Sequence, residues 1–175
     1  MSPIDVPQGT HEPRADGLPT AHAGAAAFHS DRRYRFDAPP GRVWDGIGQV
    51  DRYPEWWPWL RRFHAVGLTP GDVWECEIQP PMPYVLGFRV TIEEVVDFKK
   101  VVAGIDGDVV GAARLSLAAE GGGCVVRIVS TLAPTNRTLR LVARVARPIA
   151  HYGHAWVLDT GARQFAAGLR GISRR

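Results

Sequence analysis

The chain has 175 residues, of which 45% are apolar and 22% charged, with 19 glycines, 14 prolines, two cysteines and a formal charge of +3. These values fit one soluble globular domain with a tail, and they exclude a fibre and a disulfide scaffold. No window approaches the roughly 18 consecutive apolar residues of a transmembrane helix, and no basic segment followed by an apolar stretch begins the sequence. We therefore expect a cytoplasmic protein.

The first 29 residues are predicted to be a disordered tail. They are rich in Pro, Gly, Ala, His and Thr, and no apolar period of 2 or 3.6 persists through them. One globular domain is expected over residues 30–175. Because acidic residues outnumber basic ones in the tail, this domain is more basic than the chain as a whole.

A strand and two short helices are predicted at the start of the domain. Residues 30–36 alternate between polar and apolar positions, which is typical of a strand, and the strand ends before Pro39. A proline in the first turn favours a helix over residues 40–48. A second short helix is predicted within residues 50–57, with Asp51 as its N-cap.

From Leu60 to Leu132 the apolar residues follow a period of two, interrupted by turn signals rich in Gly and Pro. This pattern predicts about six antiparallel strands. Apolar side chains fall on one face of each strand, so the sheet is expected to have one dry and one wet face. The predicted dry face carries Trp74, Cys76, Ile78, Phe88, Val90, Ile92, Leu115, Leu117, Val126, Ile128, Ser130 and Leu132.

After Pro134 the chain is predicted to be helical almost to its end. An unbroken helix would be about 50 Å long, which is too long for this domain, and Pro148 divides it into two pieces. The first piece, capped by Thr135 or Asn136, gathers four arginines on one face, which are Arg137, Arg140, Arg144 and Arg147. The second piece carries a stripe at helical spacing that we expect to lie on the sheet. The stripe consists of His151, His154, Ala155, Leu158, Ala162, Phe165 and Leu169.

This order of elements predicts an α+β fold. A curved antiparallel sheet of about seven strands wraps around a long C-terminal helix, and two short helices follow the first strand. Gly153 and Gly161 each cost the long helix about 1 kcal/mol relative to alanine. We expect the missing side chains to allow close contact with the sheet or to leave cavity volume.

Two segments resemble a known superfamily. The run Tyr-Pro-Glu-Trp-Trp-Pro at 53–58 and the helix segment His-Tyr-Gly-His-Ala-Trp-Val at 151–157 are similar to the START-like, Bet v 1-like (SRPBCC) helix-grip proteins, in particular their polyketide cyclase/dehydrase branch. The resemblance covers about residues 30–171 and implies a deep apolar cavity between the sheet and the C-terminal helix. Only some members catalyse ring closure, and the superfamily includes quinone-binding relatives with a similar Tyr-Pro-Glu segment.

The implied cavity combines with the predicted dry face to give a set of ligand-binding residues. These are Trp56, Trp57, Trp74, Cys76, Phe88, Val90, Leu115, Ser130, His154 and Leu158. Two roles stay open for the large rings at positions 53, 56, 57 and 59. They either plug one end of the sheet as core or, in one or two cases, gate the cavity and stack on a flat ligand.

His154 is the candidate for an acid, a base or a hydrogen-bond donor in the cavity. An unperturbed imidazole pKa near 6.5 suits proton transfer at neutral pH, although a core imidazole bonded to a backbone carbonyl is the alternative. In the family the next position is often acidic, whereas this chain has Ala155, so the resemblance gives His154 no carboxylate neighbour on the helix. A metal site formed by His151 and His154 would need a third ligand, and no spacing in the sequence points to one beyond the nominal candidates Cys76 and Asp159. We therefore predict neither a metal nor a cofactor.

Three functions are compatible with these expectations. The first is the binding of a small hydrophobic ligand of aromatic, polyketide or isoprenoid type. The second is a cofactor-free polyketide cyclase or dehydratase, in which enclosure folds the substrate and His154 moves a proton in an aldol-type step with loss of water. The third is a quinone or lipid carrier. The arginine face predicts an acidic carrier protein or an anionic membrane as partner, and no motif predicts nucleic-acid binding.

Overall fold

The computed structural model describes residues 27–82, 84–135, 140–141 and 147–172, and in the last of these ranges the side chains of residues 152–171. Several sequence predictions lie outside the described residues. They are the tail up to residue 26, the residues Arg137 and Arg144, and the side chains of Arg147 and His151.

Within the described ranges the chain forms seven strands and three α-helices. The strands are β1 (Phe28–Phe36), β2 (Leu60–His64), β3 (Val73–Ile78), β4 (Leu86–Val96), β5 (Lys100–Gly107), β6 (Val109–Glu120) and β7 (Gly123–Pro134). The helices are α1 (Pro40–Gly48), α2 (Tyr53–Trp56), which follows a 3-10 turn at Val50–Arg52, and α3 (Arg147–Ile172). None of these helices has the length and apolar character needed to cross a bilayer.

The strands form one antiparallel sheet in the order β1-β7-β6-β5-β4-β3-β2. Sequential neighbours pair from β2 to β7, and β1 closes the far edge by pairing with β7. The sheet curls around α3, and α1 and α2 follow β1, so the predicted α+β helix-grip architecture is confirmed. Strand β1 begins two residues before its predicted start, because Phe28 and His29 already pair with Leu132 and Thr131.

The short connection between β5 and β6 is fixed by contacts to neighbouring segments. Asp108 accepts a hydrogen bond from the backbone N–H of Gly87 at 2.8 Å and returns one from its own N–H to the Gly87 carbonyl at 2.9 Å. The Thr135 hydroxyl donates to the carbonyl of Gly107 at 2.6 Å. These bonds hold the starts of β4 and β6 beside the end of β7.

The opposite end of the sheet is filled by α1, α2 and the second half of α3. Phe165 packs edge-on against Phe36 and Trp56, with ring centres 5.6 and 5.4 Å apart. Leu169 and Val43 are buried in the same cluster. A Cβ on Gly46 would collide with the buried Leu169 side chain and lie 3.0 Å from the Phe165 ring, so the glycine allows α1 to lie this close to α3. The compact core therefore sits at one end of the fold.

Candidate functional site

The space between the concave face of the sheet and α3 contains three adjoining lobes. The polar lobe, which holds Ser130 and His154, has a volume of about 230 Å³. The sheet lobe, which holds Trp74 and Cys76, has a volume of about 300 Å³. The helix lobe lies beside residues 161–165 and has a volume of about 190 Å³. Ile128 of β7 and Val157 of α3 border all three lobes, so one molecule could extend from one lobe into another.

The polar lobe brings together two residues that the sequence separates by 24 positions. Ser130 lies on the inward face of β7 and is only 3% exposed. Its Oγ lies 3.3 Å from Nε2 of His154 on α3, a contact whose donor depends on the imidazole tautomer. The remaining lining of this lobe is mainly aliphatic and aromatic. The arrangement is a small hydrogen-bonding centre set in an apolar wall.

Tyr84 is the third polar side chain in the polar lobe. Its hydroxyl rests on α3 where the helix has Gly153, because a Cβ at that position would lie only 2.9 Å from the oxygen. Burial raises the pKa of Tyr84, so the hydroxyl stays protonated at neutral pH. Gly153 thus makes room for a side chain from the segment before β4, whereas the sequence suggested contact with the sheet or open volume.

The sheet lobe is bordered by the inward side chains of β3 to β6. Trp74 donates its indole N–H to the carbonyl of Gly67 at 2.7 Å, which leaves the ring face for the lobe. Burial raises the pKa of Cys76 to about 12, so the thiol is neutral and behaves as a small apolar group. Arg114 also borders this lobe, between the lining residues Ala113 and Leu115.

Three aromatic residues from the α2 region form the wall between the sheet lobe and the helix lobe. Tyr53, Trp57 and Trp59 border both lobes, and the two indoles stack with centres 5.8 Å apart and planes 25° apart. Their polar atoms are all bonded to protein. The acceptors are the carbonyls of Ile47 and Gly161 and the side chain of Gln164, at 2.6, 3.0 and 2.8 Å. These rings therefore serve as core and as cavity wall at the same time.

Trp56 lies away from the cavity. Its ring packs against Phe165 and over Gly168, and the Arg52 guanidinium sits 5.2 Å from the ring centre. The ring borders none of the three lobes. Trp56 is the last residue of α2, whereas Trp57 follows it with φ of −121° and ψ of 83°, so the two neighbouring indoles leave the backbone in different directions. The physical role of Trp56 is to fill the compact end.

The other nine residues of the predicted ligand-binding set border at least one lobe. Sequence reasoning did not single out Tyr84, Ile128 or Val157 as ligand contacts. Val157 is three residues after His154 on α3, and that spacing is a usable signal. Ala155 of the predicted stripe borders no lobe, because the inward face of the helix runs through Val157 and Leu158 instead.

Asp159, one of the two candidates for a third metal ligand, interacts with residues of β1. Its carboxylate accepts a hydrogen bond from the Tyr34 hydroxyl at 2.6 Å and lies 4.0 Å from the Arg32 guanidinium. Burial and the neighbouring Asp159 raise the pKa of Tyr34. Among the described residues no three His, Cys, Asp or Glu side chains are grouped so that they could hold a metal ion.

Arg140 is the one member of the arginine face whose side chain the structure describes. It is exposed, and its guanidinium donates to the carbonyl of Thr135, with Nε at 3.1 Å. The neighbouring Leu141 is 62% exposed. The remaining three arginine side chains of this face lie outside the described residues, so a partner for it stays a prediction.

Comparisons with known proteins agree with this geometry. A sequence model described as polyketide cyclase / dehydrase and lipid transport matches residues 27–170. No protein among the curated ones matches the sequence. A solved structure of the di-domain ARO/CYC protein BexL from the BE-7585A biosynthetic pathway superposes with a TM-score of 0.64 at 15% identity, over 81% of this chain and 50% of that one.

Two single-domain structures are also similar. Truncated norcoclaurine synthase from Thalictrum flavum gives a TM-score of 0.60 at 10% identity, over 84% of this chain and 96% of that one. Ara h 8.0201 gives 0.58 at 12% identity, over 83% and 99%. At these identities the structural similarity shows a shared fold and leaves the chemistry to be argued from the site.

Proposed function

This chain belongs to the polyketide cyclase / dehydrase and lipid transport family, and we propose that it binds a small hydrophobic molecule between the sheet and α3. The observation that carries the proposal is the convergence of three lobes on Ile128 and Val157. Ligand pockets in proteins commonly hold about 300–1,000 Å³, and the sheet lobe alone holds about 300 Å³. Apolar burial supplies affinity at about 25 cal/mol per Å² before the costs of binding are deducted.

The lining favours a ligand with flat or ring-containing parts. Six aromatic side chains border the sheet lobe beside the aliphatic ones, and two of them, Trp57 and Trp59, are held in place by hydrogen bonds to α3. Fixed rings form a rigid slot that loses little conformational entropy on binding. An aromatic, polyketide or isoprenoid-like molecule suits such a wall.

Filling the junction of the lobes tests the proposal. Val157→Phe adds a ring where all three lobes meet, whereas Ala167→Phe adds the same ring at an exposed position of α3. Equilibrium dialysis with the neutral probe N-phenyl-1-naphthylamine should show binding by the wild type and by Ala167→Phe, and at least tenfold weaker binding by Val157→Phe. Equal affinity of all three proteins would contradict the proposal. Extraction and mass spectrometry of the purified wild type would then identify a natural ligand.

The Ser130–His154 contact favours a second candidate function, a cofactor-free cyclase or dehydratase acting on a poly-β-keto substrate. The enclosed lobes would fold the flexible substrate, and His154 would take a proton from a carbon between two carbonyls, so that this carbon attacks a distant carbonyl carbon and forms the ring bond. The imidazolium would return the proton to the resulting alkoxide. His154 would then take the second proton from the same carbon and give it to the new hydroxyl, which leaves as water while a C=C bond forms. Ser130 would orient the imidazole through the 3.3 Å contact.

A binder and an enzyme differ in what happens to the bound molecule. A binder releases it unchanged, whereas the cyclase converts a poly-β-keto thioester mimic into a product that has lost water, which mass spectrometry detects. His154→Ala should remove this conversion while N-phenyl-1-naphthylamine still binds. Full turnover by His154→Ala would remove the catalytic role and leave the binding proposal in place.

A quinone or lipid carrier is a variant of the first proposal, in which the bound molecule is delivered to an acidic carrier protein or an anionic membrane. The four arginines 137, 140, 144 and 147 would supply the attraction, at up to about 1 kcal/mol each near an anionic surface. Flotation with vesicles that contain anionic lipid should carry the wild type upward and leave the fourfold Arg→Gln variant behind. Flotation of both proteins alike would argue against this role.

A further inference from the structure

Hydrogen-bonding groups are distributed unevenly in the cavity. Four aromatic side chains of the sheet and helix lobes already donate their hydrogen bonds to protein acceptors. They are the hydroxyl of Tyr53 and the indole N–H groups of Trp57, Trp59 and Trp74. The Tyr34 hydroxyl likewise donates a hydrogen bond to the Asp159 carboxylate. In the polar lobe three polar side chains, Ser130, His154 and Tyr84, lie together, and Ser130 contacts His154 at 3.3 Å. A ligand that fills all three lobes therefore meets polar side chains mainly at one end.

Charged side chains are also distributed unevenly around the cavity. None of the described residues that line the polar lobe is Lys, Arg, Asp or Glu. The charged residue at the sheet lobe is Arg114, whose Nε is buried, so among the described residues it is the polar lobe, and not the whole cavity, that has no Lys, Arg, Asp or Glu in its lining. Burying a carboxylate or phosphate without a cationic partner costs several kcal/mol. In the described lining of the polar lobe an anion would find a cationic partner only in a protonated His154, so this lining favours a neutral group.

The Ser130 hydroxyl can bond a neutral polar group as well as His154. A serine hydroxyl has one donor and two acceptor sites, and the 3.3 Å contact with Nε2 uses one of them. The Tyr84 hydroxyl, which remains protonated, borders the same lobe. A ligand hydroxyl can donate and accept, and a ligand carbonyl can accept, so either group matches this end of the cavity.

We infer that the ligand is a neutral molecule with one terminal hydroxyl or carbonyl, which lies against Ser130 and His154 while the apolar body fills the sheet and helix lobes. This inference rests on the proposed function and adds to it the class of ligand and its direction in the cavity. Free fatty acids and phospholipids, whose head groups are charged, are disfavoured as ligands of the polar lobe.

Three probes that share one ring system test the inference on the full-length protein. Naphthalene has no polar group, 2-naphthol carries a neutral hydroxyl and 2-naphthoate carries a charge at pH 7. Equilibrium dialysis should give 2-naphthol about tenfold tighter binding than naphthalene, which corresponds to about one hydrogen bond. 2-Naphthoate should bind most weakly of the three.

Two neighbouring positions on β7 supply the variant and its control. Ser130→Ala removes the inward hydroxyl, and Thr131→Ala removes the hydroxyl of the next residue, which bonds His29 on the other face. Ser130→Ala should reduce the preference for 2-naphthol to about twofold and leave the affinity for naphthalene unchanged. Thr131→Ala should keep both values. Thermal melting checks that both variants are folded.

The outcomes separate the two proposals. If none of the three probes binds, the proposed hydrophobic site and this inference both fall. If naphthalene binds but 2-naphthol has no advantage, or 2-naphthoate binds tightest, only the neutral head group is overturned. A preference for 2-naphthol that Ser130→Ala leaves intact would also overturn it, since the hydroxyl would then be bound elsewhere.

Discussion

The two halves of α3 face the same sheet but meet different interiors. The second half presents Phe165 and Leu169, which are 6% and 4% exposed and pack into α1, α2 and the sheet, and of these two only Phe165 borders a lobe, the helix lobe. The first half presents His154, Val157 and Leu158, which border open lobes. Helices α1 and α2 cover one end of the sheet, and none of the other described elements adds such a layer at the other end. The filled end therefore carries most of the packing among the described residues, and most of the open volume lies towards the hollow end.

Side-chain size reinforces this division. On the sheet, the hollow end carries Ala113 and Ser130 at inward positions, where larger residues would occupy the space. On α3, Gly153 and Gly161 have no side chains, which lets Tyr84 and the Trp57–Trp59 pair lie close to the helix backbone. Small side chains at these positions thus contribute to the open volume, because larger side chains would fill it.

Truncation at the filled end should have the largest effect on stability. We expect Phe165→Ala to lower the free energy of unfolding by about 3–5 kcal/mol, because the ring is buried between Phe36 and Trp56 and its loss leaves a cavity. Val157→Ala, at the hollow end, should cost clearly less, because its side chain is smaller and borders all three lobes, whereas Phe165 borders only one. Urea denaturation measures both. Equal costs would contradict the division of α3 into a filled and a hollow half.

Adding a methyl group at the filled end should have an intermediate effect. A Cβ at Gly168 would lie 2.6, 2.7 and 2.8 Å from three atoms of the Trp56 indole, a buried ring with little room to move. Gly168→Ala should therefore destabilise the protein by about 1–3 kcal/mol through overpacking. Gly171→Ala is the control, because no atom lies within 4 Å of a Cβ there. If both variants melt alike, α2 and α3 are packed less closely than described.

The smallest effect on stability is expected from Gly153→Ala at the hollow end. The new methyl group would lie 2.9 Å from the Tyr84 hydroxyl, which is the tip of a side chain that can rotate away. The gain of about 1 kcal/mol from replacing a helical glycine should offset this displacement. Urea denaturation should show little net change, while probe release by stopped-flow mixing should become faster as Tyr84 moves. A loss of several kcal/mol would mean that Tyr84 is as fixed as Trp56.

Much of the sheet could be predicted from sequence, because side chains in a strand alternate strictly between two faces. The inward phase of Phe88, Val90 and Ser130 follows from that period alone. The turn between β4 and β5 carried no such signal. It contains neither glycine nor proline, and Phe98 adopts a left-handed conformation with φ of 60°. A phenylalanine does not favour a positive φ, so the residue type does not predict this conformation.

The site was harder to predict, because it depends on how distant segments meet. Tyr84 lies at the end of a proline-rich stretch that has no period, so its position over Gly153 could not be deduced. The contact between Ser130 and His154 depends on where α3 lies along β7. The adjacent indoles of Trp56 and Trp57 differ in role because α2 is only four residues long, and its orientation is set by packing.

The stacked indoles of Trp57 and Trp59 also have a spectroscopic consequence. They stand at the boundary of two lobes, with Trp74 facing one of them across the interior. Indole emission shifts in wavelength with the polarity of its surroundings, so exchanging water for a guest beside these rings changes the ultraviolet fluorescence of the protein. The chain thus contains its own optical reporter of occupancy, and candidate molecules can be screened without attaching a dye.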